Sequence, residues 1–297
     1  MASTVKVKKL RVKNHRVVLN RSAGGDTAIT VVLVILGLIM FLPMYYTIIT
    51  AFKPAAELSM LPPKLYVMKP TLKNFIDLFT NMNQTWVPVT RYIFNTVYIS
   101  CASTFGALII GSLAAYALSK VRMPGYKFIN NLVVWSMMLP ATITGTYNFI
   151  IYCKIGLLNT YAISILPIWA GTLGLYLMKN FIDDGINDQM IEAARIDGAR
   201  EFYIYLKIAM PLVKPAWLTT IVTTFQTVWS AGANQYVWSE DLKTFNSAIA
   251  QIQTAATSNT TGAVAAGAVI MMAVPITIFV VNQSKIVETM ASSGMKD

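Results

Sequence analysis

Long uncharged apolar blocks alternate with polar segments along this chain of 297 residues. None of the blocks contains Asp, Glu, Lys, Arg or His. Each block approaches or exceeds the ~20 residues with which a helix crosses a hydrocarbon layer of ~30 Å. The pattern predicts an all-α membrane protein with six transmembrane helices, at about residues 27–49, 93–118, 129–152, 158–178, 216–238 and 263–283.

Lysine and arginine are distributed unevenly over the segments between the blocks. If the N-terminus is cytoplasmic, the inner segments hold 17 of the 24 Lys and Arg residues. Because positive charge accumulates on the cytoplasmic side, both termini are predicted to be cytoplasmic. The predicted parts are a basic cytoplasmic N-terminal arm (1–26), a first transmembrane helix with an extracellular segment (27–90), a transmembrane domain (91–283) and a cytoplasmic tail (284–297).

The two longest outer segments differ in composition. Residues 50–91 contain several X-Pro steps, which favour extended or turn-like backbone. Residues 239–262 are rich in Ser, Thr, Asn, Gln and Ala, which predicts a polar extracellular loop.

Composition supports the membrane assignment and excludes other classes. Hydrophobic residues make up 55% of the chain and charged residues 12%, about half of the ~25% in soluble domains. The net charge of +11 is no sign of nucleic-acid binding, because the basic residues flank the apolar blocks. The single histidine, His15, lies in the N-terminal arm, so we predict no metal site and no catalytic residues.

The segment between the fourth and fifth blocks is charged and suited to short helices. Residues 187–197 favour a helix that Asn187 caps, and Gly198 can end it with a positive φ. Ala193 and Ala194 allow another protein to approach closely, and the prolines that follow permit a bend. Two short helices joined by a turn at the glycine would form a cytoplasmic protrusion that can fit into a cleft of a partner protein.

This segment resembles the EAA loop of the permease subunits of binding-protein-dependent ABC importers. The family pattern is Glu-Ala-Ala, three residues, Gly, nine residues, Ile, one residue and Leu-Pro. Within the loop 187–211, the chain matches the pattern at Glu192, Ala193, Ala194, Gly198, Ile208 and Pro211, with Met210 in place of Leu. Outside this loop, Pro70-Thr71-Leu72-Lys73-Asn74-Phe75 and Asn95 are similar to the carbohydrate-importer permeases of the maltose-permease G-subunit type.

The resemblance implies the type I ABC importer permease fold and a role in the cell membrane of a bacterium. In the family, the EAA loop docks into a groove on a cytoplasmic ATPase, and ATP-driven closure of two ATPase subunits switches the access of a central cavity. The chain has no G-x-x-x-x-G-K-[ST] phosphate loop, so we expect it to bind no cofactor and to be no enzyme. ATP and Mg would be used by the partner ATPase.

The resemblance also implies partners and coupling residues. The partners would be a second homologous permease subunit, two cytoplasmic ATPase subunits, an extracellular sugar-binding protein that the 239–262 loop contacts, and membrane lipid. The expected ATPase-coupling residues are Glu192, Ala193, Ala194, Asp197, Gly198, Ile208 and Pro211.

Candidates for the substrate path are uncharged polar and aromatic residues within the spans, since sugars bind through hydrogen bonds and stacking. They are Thr144, Tyr147, Asn148, Trp229, Asn234 and Gln235. The same residue types also anchor helix ends or bond to neighbouring helices, so packing is an alternative role for each.

Two other functions stay open. A proton-coupled secondary transporter would need intramembrane carboxylates or histidines, which the blocks lack, but sodium could be held by carbonyls and hydroxyls. An ABC permease for a non-sugar solute is the second alternative, since other importers carry looser EAA loops. Co-purification with an ATPase would separate the importer from the secondary transporter.

Overall fold

The computed structural model describes residues 23–83, 86–121, 123–139, 141–254 and 258–293, and all regular structure in these ranges is helical. A π-helical turn at Tyr205–Ala209 and a 3₁₀ turn at Glu240–Leu242 interrupt the α-helices. The α-helices are α1 (Ala23–Phe52), α2 (Ala55–Leu58), α3 (Lys73–Met82), α4 (Val89–Lys120), α5 (Tyr126–Met138), α6 (Ala141–Lys154), α7 (Tyr161–Trp169), α8 (Thr172–Gly185), α9 (Asp188–Ile196), α10 (Glu201–Ile204), α11 (Met210–Leu212), α12 (Lys214–Trp229), α13 (Phe245–Thr254) and α14 (Ser258–Ser293).

Within the described residues, four helical stretches are long and apolar enough to cross a membrane. They are Gly24–Phe52, Val89–Lys120, Tyr161–Gly185 and Thr260–Val281. A fifth is added if Glu201–Leu212 and Lys214–Trp229, which meet at an angle of 82°, are counted as one bent span. The remaining predicted block, 129–152, is divided between α5 and α6, each shorter than a full span.

The chain forms two compact units, Met1–Tyr46 and Thr47–Asp297. The described part of the first unit is a single continuous helix, the first 24 residues of α1. Its aliphatic side chains, such as Leu33, Leu38 and Met40, are exposed along the helix. An uninterrupted apolar surface of this kind suits contact with hydrocarbon rather than with water.

Helix α4 is the central element of the second unit and packs against α7, α8 and α12. Small residues let these helices approach closely. Gly106 lies directly under the Trp169 indole, where a Cβ would overlap the ring, and Trp169 Nε1 donates to the Ala102 carbonyl at 3.0 Å.

A second packed region joins α3, α13 and α14. Leu78 and Met82 on α3 are buried against Phe245 and Ala263. The buried Asn74 amide donates to the carbonyls of Ala51 and Lys53 at 2.9 and 2.7 Å. This amide therefore fixes α3 to the end of α1.

Two sequence expectations are corrected by these elements. The prediction of an extended 50–91 segment is wrong for α2 and α3, because the apolar face of α3 is buried on α13 and α14 and stabilises a helix there. The predicted fifth span, 216–238, ends as a helix at Trp229, and the polar 239–262 loop contains α13.

Candidate functional site

Helix α9 and the turn after it carry the motif residues, and their local structure follows from the sequence. Asn187 Oδ1 accepts a hydrogen bond from the Gln189 amide at 3.0 Å, which confirms the predicted cap. Gly198 has a φ of +83°, as predicted. The Ala199 amide then donates to the Ala194 carbonyl at 3.0 Å and closes the helix end.

An ion pair holds the two arms of this turn together. Arg195 Nε on α9 donates to Glu201 Oε1 on α10 at 2.6 Å. Tyr116 Oη, near the end of α4, donates to the other carboxylate oxygen at 2.9 Å. Arg195 also donates to the Lys120 carbonyl at 2.9 Å.

Lys120, the last residue of α4, is the second attachment point of the loop. Its side chain is buried, and its ammonium donates to the Ile186 carbonyl at 2.8 Å and to Asp188 Oδ1 at 2.6 Å. The neighbouring Ser119 hydroxyl donates to Asp183 at the end of α8. The end of α4 is therefore bonded both to α8 and to the first turn of α9.

The chain after α10 continues through the π-helical turn and then bends by 82° into α12. Tyr205 in this turn is buried, its hydroxyl lies 2.7 Å from Ser112 Oγ, and its ring contacts Tyr116 at 5.7 Å between centroids. Beyond the bend, Trp217 Nε1 donates to the Met210 carbonyl at 3.1 Å. The predicted bend before α12 is confirmed.

The predicted coupling residues fall into two groups. Ala194, Asp197, Gly198 and Ile208 line one open groove of about 530 Å³, together with Ala199, Arg200 and Tyr203. Glu192 and Ala193 are exposed on α9, and Pro211 is exposed on α11.

Sequence reasoning missed the residues that hold this loop in place. Arg195, Glu201, Tyr116 and Lys120 form its polar attachments, and the apolar Ile196 is 86% exposed beside it. Opposite charges on either side of a turn-forming glycine were the available signal for Arg195 and Glu201. An isolated apolar residue at the end of a polar helix was the signal for Ile196.

A cavity of about 400 Å³ lies between α6, α7, α12 and residues 231–247. Of the six predicted substrate-path residues, Asn148 and Asn234 line it. The other polar or aromatic lining residues that the sequence did not single out include Tyr152, Ser164, Thr227, Tyr236 and Lys243.

Tyr236 and Asn234 shape the wall of this cavity. Asn234 Nδ2 donates to Ser164 Oγ at 3.2 Å, and Asn234 Oδ1 accepts from the Tyr236 amide at 3.0 Å. The Tyr236 hydroxyl donates to the Gly145 carbonyl at 3.2 Å, and its ring meets Tyr152 edge-on at 5.4 Å. An amide and two aromatic faces are therefore held at fixed positions around one space.

The other four predicted residues lie elsewhere in the described structure. Trp229 is buried, and its Nε1 donates to the Met271 carbonyl at 2.8 Å, so it joins α12 to α14. Tyr147 and Gln235 are exposed, Thr144 is half-buried, and none of these lines the cavity.

Helix α4 connects the cavity to the loop. Near its start, the fully buried Asn95 donates to the carbonyls of Asp241 and Lys243 at 2.7 and 2.8 Å and accepts from Tyr161 Oη at 2.7 Å. Asn95 and Lys120 are about 37 Å apart along an ideal helix. The cavity-side segment and the glycine turn are thus attached to opposite ends of one unbroken helix.

Several membrane-length helices, a cavity between helices and a polar turn bonded to the central helix are typical of membrane transport proteins. Residues 107–287 match the family model described as "Binding-protein-dependent transport system inner membrane component". The chain belongs to this family and is therefore an inner-membrane protein.

Similar proteins share the family and the fold. The chain is 29% identical over 201 residues to the inner membrane ABC transporter permease protein YcjP of Escherichia coli, covering 65% of this chain and 70% of that protein. It is 28% identical over 213 residues to the arabinooligosaccharides transport system permease protein AraQ of Halalkalibacterium halodurans, covering 71% and 73%. It is also 28% identical over 209 residues to the sn-glycerol-3-phosphate transport system permease protein UgpE of Rhizobium meliloti, covering 69% and 72%.

A solved bacterial ABC transporter "involved in the import of the acidic polysaccharide alginate" has a chain with the same fold. The TM-score is 0.73 at 20% sequence identity, covering 89% of this chain and 98% of that chain. The fold is that of an ABC importer permease.

Proposed function

We propose that this chain is the permease subunit of an ATP-driven ABC importer and that it translocates a sugar or oligosaccharide delivered by an extracellular binding protein. The observation that carries the proposal is the attachment of the glycine turn and the cavity-side segment to opposite ends of α4. A partner that moves the turn therefore acts on the segment that borders the cavity.

The groove at the turn is the proposed docking site for a cytoplasmic ATPase. It is lined by small residues, Ala194, Gly198 and Ala199, which allow close backbone approach, and is flanked by charged Asp197 and Arg200. The exposed Ile196, next to Asp197 in the chain, would supply an apolar anchor for the partner. Interfaces of this kind combine a small apolar core with a polar edge.

Closure of two ATPase subunits would displace the turn as one piece. Because Arg195 and Glu201 join α9 to α10, and Tyr116 and Lys120 join both to α4, the displacement passes to α4 directly. The bend before α12 gives a second route, since α12 also borders the cavity.

The proposed importer contains other subunits besides this chain. In the proposal, α5 and α6 together form the sixth span, and both termini are cytoplasmic. A second homologous permease completes the translocation path, and two ATPase subunits bind and hydrolyse ATP with Mg. This chain supplies no catalytic group in the proposal.

The cavity favours an uncharged sugar over an anionic solute. Tyr152 and Tyr236 offer aromatic faces, and Asn148 and Asn234 offer amides that both donate and accept hydrogen bonds. Its one lining cation in the described residues, Lys243, is paired with Glu240 at 2.6 Å, so its charge is already balanced. Among the similar proteins, the name of AraQ gives an oligosaccharide, as in this proposal, whereas the name of UgpE gives the anionic sn-glycerol-3-phosphate.

Reconstitution of the complex tests the proposal. Permease, partner permease and ATPase are placed in liposomes with ATP inside, and uptake of radiolabelled oligosaccharide is measured with the binding protein outside. We expect uptake to require both ATP and the binding protein and to persist when an ionophore collapses ion gradients. Uptake that follows a sodium gradient without ATP would instead establish the secondary transporter.

The Gly198→Val variant tests the coupling step in the same vesicles. Valine at a φ of +83° is strained, so the turn must change shape. We expect sugar uptake to fall at least tenfold while the complex still assembles and hydrolyses ATP. Normal uptake by this variant would contradict docking at the turn.

A further inference from the structure

The described residues between α1 and α4, 53–83 and 86–88, include several large apolar side chains that are exposed. Leu61 is 91% exposed, Ile76 is 64% exposed and Trp86 is 83% exposed, and Tyr66 and Leu72 are exposed as well. Surfaces in water rarely present so many large apolar groups together without a partner.

Buried charges hold this surface in position. The Lys53 ammonium donates to the Lys64 carbonyl, and the Glu57 carboxylate accepts from the amides of Met68 and Lys69 at 3.1 and 2.9 Å. Both side chains are buried. The exposed Leu61 and Tyr66 therefore lie on a loop that is bonded at both ends.

Helix α3 continues the surface with two different faces. Asn74, Leu78 and Met82 are buried against the protein. Leu72 and Ile76 lie one turn apart on the exposed face. After α3 has packed, Ile76 on the helix and Leu72 just before it remain exposed to another medium, next to the exposed Lys73.

The place of this segment between two membrane-length helices and its positive charges indicate which medium it contacts. The segment joins the end of one membrane-length helix to the start of the next, so it lies at a membrane boundary. Exposed Lys69 and Lys73 accompany the apolar groups, whereas Glu57 is buried and Asp77 is half-buried. Tryptophan, tyrosine and lysine beside aliphatic residues are the composition that sits among lipid headgroups.

We propose that residues 60–79 lie in the headgroup region of the bilayer, with Leu61 and Ile76 inserted toward the acyl chains and Lys69 and Lys73 bound to anionic lipid. The segment then sets the depth of the start of α4 relative to the membrane surface. The proposal does not depend on which solute is carried.

Spin labels measure the depth of the segment in the intact importer complex in nanodiscs containing phosphatidylglycerol. Cys101 and Cys153 are exposed, so both are first changed to Ser, and single cysteines are placed at Leu61 and Ile76. The control label is at Gln253, an exposed polar position on α13.

We expect labels at Leu61 and Ile76 to collide more often with oxygen than with a water-soluble nickel chelate, and the label at Gln253 to show the reverse. Nickel access at Leu61 and Ile76 equal to that at Gln253 would overturn the proposal. Shielding of both positions from oxygen and nickel alike would also overturn it, because a protein partner would then cover the surface.

A second measurement tests the lysines. Spin-labelled phosphatidylglycerol and phosphatidylcholine report the preference of the complex for anionic lipid. We expect the Lys69→Gln/Lys73→Gln variant to lose part of this preference, and the Lys69→Arg/Lys73→Arg control to keep it. An unchanged preference for phosphatidylglycerol in the Gln variant would show that Lys69 and Lys73 do not bind anionic lipid.

Discussion

The Arg195 guanidinium and the Glu201 carboxylate meet at 2.6 Å across the turn at Gly198, and this pair joins α9 to α10. Both side chains are more than a third exposed, at 36% and 44%. Such pairs contribute under about 1 kcal/mol to stability. Their importance lies in geometry, because Glu201 also receives the Tyr116 hydroxyl of α4.

Removal of the Arg195–Glu201 pair should therefore reduce the coupling of sugar transport to ATP hydrolysis much more than it reduces the stability of the fold. For Glu201→Gln we expect a melting temperature within about 2–4 °C of the parent, since the lost energy is small. We expect the number of sugars transported per ATP hydrolysed to fall several-fold, because α9 can then move without α4. Parallel measurement of uptake and ATP hydrolysis in liposomes gives this ratio.

The matched control for this prediction is Lys207→Gln, which removes an exposed charge two residues after the buried Tyr205. We expect it to leave the transport ratio near the parent value. Equal loss in both variants would mean that removal of any charge near the turn, rather than loss of the Arg195–Glu201 contact, weakens the coupling.

Close packing at Gly106 gives a prediction about the central helix. A methyl group there would overlap the Trp169 ring, whereas a methyl group at Gly111, on the same helix, meets no atom within 4 Å. Gly106→Ala should cost about 1–3 kcal/mol through overpacking. Gly111→Ala should be neutral or stabilising by up to ~1 kcal/mol, because alanine favours a helix.

Thermal unfolding of the detergent-solubilised protein checks this pair of variants. The melting temperatures should move in opposite directions, or only that of Gly106→Ala should fall. A decrease of the same size in both variants would show that the α4 surface is equally crowded at the two positions.

Asn95 is predicted to fix the segment that borders the cavity. Asn95→Ala leaves two backbone carbonyls and the Tyr161 hydroxyl without this partner, which should cost about 1–3 kcal/mol. The control Asn131→Ala removes an exposed amide on α5 and should cost little. Hydrogen exchange of residues 239–245 should increase in the first variant only.

Two tyrosines of α6 look alike in the sequence but differ in whether they line the cavity. Tyr152 lines the cavity, whereas Tyr147 on the same helix is 65% exposed and does not. If sugar stacks on Tyr152, Tyr152→Ala should raise the half-saturating sugar concentration by roughly 3- to 10-fold, as expected for loss of one aromatic contact. Tyr147→Ala should leave the half-saturating concentration unchanged. A larger increase for Tyr147→Ala than for Tyr152→Ala would show that the sugar path does not run through this cavity.

Local features of the site could be read from the sequence because neighbouring residues determine them. Asn187 caps a helix that starts beside it, and Gly198 ends that helix through its own φ. The Arg195–Glu201 pair was missed because it forms only after the turn has folded the chain back.

Features that depend on distant contacts were harder to predict. Helix α3 forms where X-Pro steps suggested extended chain, because Leu78 and Met82 are buried on other helices. Residues 230–238 are uncharged and satisfy the pattern of a span, yet they lie outside the helix, and six of them line the cavity. An apolar pattern indicates burial or lipid contact but does not distinguish a helix from a cavity wall.

The unbroken course of α4 has a thermodynamic consequence. If docking at the turn changes the affinity of the cavity for its solute by some factor, then solute in the cavity must change the affinity of the turn for the ATPase by the same factor. In the proposed importer the turn would therefore also act as a sensor, because solute in the cavity would change the affinity of the turn for the ATPase.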